Sequence, residues 1–253
     1  MLADNAFSQL ENAYVFRERV KKRDGTVGVG RLRRLFTEED LGTSGASPWS
    51  FNIYSLLGIT PEPNAEIARG TVIITIPTVA TSFIDQGNGI LSNVTPGNSG
   101  EINYLTGDVT LIYTGAPASA TISFGYYPGL PVMGIRKQDV QSIGIDNTIY
   151  FDTKYAYQYL SGFQELSSIT PITWTGTNTD FFWTTNYQGA TADLRYFFAT
   201  NNNIDIPNTL YDPIRYYDNT NWIDLQPLLT ATTTLWQGRI IVPYYGRLLV
   251  LNT

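Results

Sequence analysis

The 253-residue chain contains no cysteine and no histidine. Without cysteine there is no disulfide framework and no thiolate metal site, and the redox compartment stays open. Without histidine the commonest metal ligand is missing, along with the only side chain whose ordinary pKa lies near neutrality. Ser-His-Asp, Cys-His and zinc-type mechanisms are thereby excluded. A carboxylate-pair glycosidase and an oxygen-ligated Mg or Ca site remain chemically open. Charge is scarce too, at 15% of residues. No apolar run approaches the roughly 20 residues of a membrane helix. The N-terminal MLADNAFSQLENAY is polar and lacks the apolar core of a signal peptide. These absences predict a soluble, non-catalytic chain without a cofactor or a membrane span, synthesised in the cytoplasm.

What is present leans towards β structure. Hydrophobic residues make up 43% of the chain and aromatics 13%, led by 17 Tyr and 12 Phe. Tyr, Phe, Val, Ile and Thr suit a pleated, half-buried surface. The 22 Gly and 13 Pro are scattered as punctuation between short apolar runs. The length suits two domains.

The net charge of −6 hides an asymmetry. Residues 1–34 carry eight bases (Arg17, Arg19, Lys21, Lys22, Arg23, Arg31, Arg33 and Arg34) and four acids (Asp4, Glu11, Glu18 and Asp24), a local net of +4. The rest of the chain is net −10. Asp24-Gly25, between VFRERVKKR and TVGVGRLRRLF, is a short-range hairpin signal. The eight bases therefore predict a basic hairpin arm that docks on an acidic neighbouring subunit; the plain alternative is a solvated hairpin face. A nucleic-acid arm fits less well, because no aromatics interleave with the bases.

Three regions follow from the pattern. Residues 1–50 read as the arm and a turn-rich connector that runs on to about residue 64. In it, Thr37-Glu38-Glu39-Asp40 is spaced to cap one helical turn. Residues 51–130 read as a β-sandwich: IARGTVIITIP, INYL, VTLIY and ATISFGYY are short strands separated by turn residues. Pro128-Gly129-Leu130-Pro131 reads as a linker. Residues 131–253 are richer in aromatics and carry a near-repeat. FFWTTN (181–186) is echoed by FFATNN (197–202) and more loosely by LLVLNT (248–253); IYFDTKYAYQYLSGFQEL (149–166) is echoed by IRYYDNTNWIDL (214–225). Units of about 40–60 residues match a β-propeller blade. The tail supplies only two to three, so either the chain continues in its natural form or other copies complete the blades. The fold expected is all-β: a basic N-terminal hairpin, a sandwich and a partial propeller.

The segments NAYVFRERVKKRDG…GRLRRLF, GEINYLTGDVTLIYTGAPASATISFGYYPGLPVMGI and FDTKYAYQY…FQEL…WTGTNTDFFWTTNY…DPIRYYD…NWIDL resemble structural tail proteins of tailed bacteriophages. The likeness is to the hub or nozzle proteins of short-tailed, crAss-like phages and covers about residues 12–253. It implies β-propellers with inserted β-sandwiches arranged as rings around the DNA channel, located in the virion. The implied partners are further copies of the chain, other tail, portal or connector proteins and, transiently, translocating DNA. No catalytic residue is implied.

Three constellations compete with that reading. Asp139, Asp146 and Asp152, with Gly144 and Asn147, approach the composition of a calcium loop, although turn formation explains Asp and Asn there. Asp180, Asp205, Asp212 and Asp218 accompany Trp174, Trp183 and Trp222, as in a sugar-binding or glycosidase site; packing explains the tryptophans as well. The glycines of GVGRLRR lack the spacing of a phosphate loop. The sequence therefore leads to a virion structural ring protein, with a receptor- or carbohydrate-binding β-module of a tail fibre or adhesin as the alternative.

Overall fold

The computed structural model describes residues 13–16, 19–22, 31–140, 145–159, 163–166, 173–188, 195–201, 212–231, 233–235 and 237–251. Among the described residues the chain is all-β apart from one helical turn. It divides into two compact units, residues 1–30 and 31–253. In the first, β1 (Ala13–Phe16) and β2 (Arg19–Lys22) form an antiparallel hairpin with Phe16 opposite Arg19. Asp24-Gly25, the expected turn, lies outside the described residues.

The second unit opens with β3 (Arg34–Thr43) and β4 (Trp49–Asn52), a helical turn α1 (Ile53–Leu56), and β5 (Glu66–Ile67), β6 (Ile73–Thr75), β7 (Phe83–Asp85), β8 (Ile90–Ser92), β9 (Ser99–Ile102), β10 (Asp108–Ile112) and β11 (Ser119–Tyr127). These strands make one nine-stranded sheet, ordered β3-β11-β6-β7-β8-β9-β10-β4, with β5 also on β11. Alternation decides which face is buried: in β10, Val109 and Leu111 point inward while Asp108, Thr110 and Ile112 face solvent. Because the sheet curls, a single face encloses a core that includes Phe83, Phe124, Ile74, Leu91 and Leu111. Two register shifts between β11 and β3 accompany the curl, since a bulge bends its strand and increases twist.

Residues 34–43 and 49–52, within the stretch read as a connector, are strands of this sheet. Thr37–Asp40 lies in bulged β3, where Glu38 has φ 53° and its amide donates to Ser123 Oγ at 2.9 Å. The helical turn forms instead at α1, capped by Asn52, whose Oδ1 accepts from the Ser55 amide at 3.0 Å.

Beyond the Pro128–Pro131 link come two four-stranded antiparallel meanders. The first is β12 (Gly134–Val140), β13 (Ile145–Phe151), β14 (Ala156–Tyr159) and β15 (Phe163–Glu165); the second is β16 (Phe182–Gln188), β17 (Arg195–Asn201), β18 (Arg215–Tyr217) and β19 (Trp222–Asp224). A hairpin, β20 (Ile240–Tyr244) and β21 (Arg247–Leu251), follows. The first strands begin at residues 134, 182 and 240, within the spacing read from the sequence, and a four-stranded meander is the content of a propeller blade. The repeat is assigned differently, however. FFWTTN and FFATNN fall on β16 and β17, neighbours that pair with each other. The DTK and DNT echoes fall on two turns of the same build. Asp152 Oδ1 accepts from the Lys154 and Tyr155 amides at 2.6 Å, and Asp218 Oδ1 from the Thr220 and Asn221 amides at 2.9 and 2.7 Å.

Candidate assembly surfaces

The first strands hold the sheets together. The Phe182 amide at the start of β16 donates to the Met133 carbonyl beside β12 at 3.1 Å, and Asn186 Nδ2 donates to the Lys137 carbonyl at 3.0 Å. On its other side β16 meets β20, where Trp183 Nε1 donates to the Ile241 carbonyl at 2.8 Å. Gly134 permits the close approach, because a Cβ there would lie 2.9 Å from Phe182 Cβ. Between the meanders is an aromatic core. Phe151 stacks on Phe182 with centroids 4.3 Å apart, and Trp174 meets Trp222 edge-on at 5.2 Å. The second meander is apolar on both faces: Phe197, Tyr217 and Trp222 belong to this core, while Phe198 packs with Ile241 on the β20–β21 side.

On that side the hairpin covers the meander only in part. A cavity of about 690 Å³ remains, lined by Tyr187, Tyr196, Phe198, Tyr216, Leu225, Pro227, Leu229, Leu235, Leu248 and Val250. The opposite face of the hairpin is also apolar: Leu249 and Leu251 are 41% and 48% exposed. A further apolar strip crosses the outer face of the nine-stranded sheet, where exposed Ile73 and Ile84 are cross-strand partners.

The structure separates the eight basic residues proposed for docking. Arg17 and Arg23 lie outside the described residues, while Arg19, Lys21 and Lys22 are on β2. Arg31 pairs with Glu66 and lies 4.4 Å from the Tyr127 ring centroid. Arg33 runs its aliphatic stem across Gly125, where a Cβ would come within 3.0 Å of Arg33 Cδ. Arg34 Nε donates to Glu165 Oε2 at 2.6 Å, and its guanidinium sits 4.1 Å from the Tyr155 ring centroid. Arg31 and Arg34 are thus engaged within the chain, because β3 and the residues leading into it bring them to acidic partners.

Arg34 belongs to a polar junction that sequence reasoning missed, between the curled sheet and the first meander. Lys154 Nζ donates to Glu62 Oε1 at 2.6 Å, and a cavity of about 360 Å³ lies beside both pairs. Burial opposes the charge on Arg34, but Glu165 more than offsets this, so its pKa is raised. Asp152 is 1% exposed, and burial pushes its carboxyl up to about 6. The Tyr157 hydroxyl, donating to Oδ2 at 2.6 Å, and the two turn amides oppose that rise, while Glu165 adds to it. The only sequence signal for this junction was the turn composition of FDTKY.

Among the described residues, Asp212, Trp174 and Trp222 are neighbours, with Asp212 hydrogen-bonded to the residue after Trp174 and Trp174 against Trp222, while the other carboxylate candidates lie in separate turns and strands. Asp152 is enclosed by its own turn, while Asp139 and Asp146 are cross-strand partners on β12 and β13. Gly144 and Asp205 lie outside the described residues, and Asn147 Nδ2 donates to Gln158 Oε1 at 3.1 Å. Asp180 and Asp218 each close a turn. Asp212 is buried, where Oδ2 accepts from the Thr175 amide at 2.7 Å and from Asn201 Nδ2 at 2.5 Å. Nearby Arg215 lies 4.9 Å from the Trp174 ring centroid and donates to Asp224 Oδ1 at 2.9 Å. Trp174 and Trp222 are in the aromatic core, and Trp183 is partly exposed beside β20.

No protein-family model, curated protein or solved structure matches this chain.

Proposed function

We propose that the chain is a structural component of a bacteriophage virion tail. In this reading it assembles into a symmetric ring, as hub, nozzle or connector, around the DNA channel. The observation that carries the proposal is the serial stacking of β-sheets through their first strands, from β12 through β16 to β20, with an exposed apolar face on the β20–β21 hairpin. A stack of this kind presents different surfaces at its two ends, and heterologous contacts close into a ring when the rotation allows. The resemblance of the sequence to tail hub and nozzle proteins supplies the virion setting. The chain's role is architectural and non-catalytic, without a cofactor. Its partners are further copies of itself and adjoining tail, portal or connector proteins. The acidic bulk, net −10 beyond residue 34, repels DNA phosphates during passage, and the basic hairpin reaches an adjoining component.

Size-exclusion chromatography with light scattering, followed by negative-stain imaging of the full chain, tests this reading. The expected result is a closed ring with a central opening. A monomer or trimer that binds glycans at the tyrosine-lined cavity would overturn it in favour of a receptor-binding module.

A further inference from the structure

The curled sheet and the meanders keep separate cores. The buried residues of the sheet's cluster run from Leu41 to Tyr126, and those of the meanders' clusters from Ile149 to Ile241. Their junction carries the Arg34–Glu165 and Lys154–Glu62 ion pairs, with the Arg34 guanidinium over the Tyr155 ring. We propose that this junction is a hinge with an electrostatic latch. The curled sheet turns against the first meander about residues 130–132, and the two ion pairs hold the closed position.

The connecting chain is pinned on both sides of those three residues. On the sheet side Gly129 has φ 74°, and a Cβ there would lie 2.5 Å from the Asn64 carbonyl carbon, so its backbone sits directly against that loop. On the meander side Met133 is buried. Its amide donates to the Phe151 carbonyl at 2.7 Å, and its carbonyl accepts from the Phe182 amide at 3.1 Å. Between these anchors Leu130 is partly buried, while Pro131 and Val132 are exposed. A few loop residues of this kind absorb the dihedral changes of a hinge. Pro131 fixes its own φ and restricts Leu130, so the swing is narrow and Val132 takes most of it.

The faces that meet here are not close-packed. A cavity of about 360 Å³ lies between Arg34, Phe36, Glu62 and Tyr126 on one side and Lys154 and Tyr155 on the other, whereas a shared core would be filled to crystal-like density. A polar, loosely packed junction between two separately cored bodies leaves relative rotation as the expected motion. The closed position then depends on charge. Lys154 and Glu62 are both partly exposed, so salt reaches this pair, while Arg34 and Glu165 are more sheltered. Opening hydrates all four groups together, which offsets much of the Coulomb energy given up.

The absence of native cysteine lets spin labels report on this motion. Val94 in the curled sheet and Tyr245 at the tip of the β20–β21 hairpin are both highly exposed. The full chain carrying Val94→Cys and Tyr245→Cys therefore takes one label on each body. Pulsed electron spin resonance reads the distance between them at about 0.01 M and about 1 M salt, where the screening length falls from about 30 Å to about 3 Å. One distance is expected at low salt and a second, added to it, at high salt. Lys154→Glu, which opposes Glu62, should raise the ratio of the second to the first by about fivefold or more at low salt. The exchanged pair, Glu62→Lys with Lys154→Glu, should bring the ratio back. Labels at Val94→Cys and Leu105→Cys, both within the curled sheet, should keep one distance throughout. A single unchanged distance between the bodies in every condition would overturn the hinge. A control that broadens as well, or an exchanged pair that restores nothing, would also overturn it, since the change would then come from unfolding or from a source other than the latch. Should Lys154→Glu not fold, the salt series with Lys154 in place decides by itself.

Discussion

Arg34 on β3 and Glu165 on β15 are 131 positions apart in sequence and 2.6 Å apart in space. Their ion pair ties the curled sheet to the first meander, with the second pair, Lys154 and Glu62, close by. Both partners are largely sheltered, whereas Arg31 is about half exposed. Replacing Glu165 with Gln leaves the Arg34 charge without its counter-ion and should cost about 3 kcal/mol. Replacing Arg31 with Ala should cost less than about 1 kcal/mol. Urea unfolding of the two variants side by side checks the difference.

Asp152 gives the protein a defined response to acid. Its folded pKa of about 6 lies above the ordinary value of 3.8, so the folded state holds the proton more tightly than the unfolded chain. Stability from this group therefore rises as pH falls through about 6 towards 3.8, by a total on the order of 2–3 kcal/mol. Thermal unfolding at pH 7.0, 6.0 and 5.0 should show the rise. Asp152→Asn, which cannot ionise, should flatten it.

Phe151 is fully buried and contacts Trp174, Phe182, Phe197 and Trp222. Phe151→Ala removes the ring that joins the two meanders and should cost about 3–5 kcal/mol. Calorimetry of the purified variant would show a large fall in melting temperature.

The basic hairpin makes a different prediction, about docking rather than folding. Exchanging Arg17, Arg19, Lys21 and Lys22 for Ser should leave thermal stability within about 1 kcal/mol, as expected for surface charges. It should weaken attachment to the neighbouring component, with the largest deficit at low salt, where charges are least screened. Co-sedimentation across a salt series measures both effects; unchanged attachment would reduce the charges to a solvated face.

Much of the fold was legible because side-chain alternation is a local property. Val109 and Leu111, set between Asp108 and Thr110, mark an inward face without reference to any other strand. Pairing is not local. Thr37–Asp40 has the composition of a helix start, yet those residues lie opposite β11, where strand pairing and a bulge override the capping pattern. FFWTTN and FFATNN look alike but are neighbouring strands of one meander, and their matching residues sit differently: Phe181 is exposed where Phe197 is buried, and Phe182 packs with the aromatic core where Phe198 packs with Ile241. The basic cluster was legible as a charge asymmetry. That Arg31 and Arg34 would meet Glu66 and Glu165 depended on folds of the chain spanning 35 and 131 positions.

The nine-stranded sheet imposes an order on synthesis. Strand β3 is complete at Thr43 and β4 at Asn52, but their partners β11 and β10 begin only at Ser119 and Asp108. At about 5–20 residues per second, both early strands wait several seconds with a ladder edge unmet while the middle of the sheet emerges. Closing such distant pairs requires the chain to surrender loop entropy before the contacts reward it, which slows folding. β3, the strand made first in this sheet, is thus among the last to be secured, and while they wait β3 and β4 are both open to mispairing with another nascent chain.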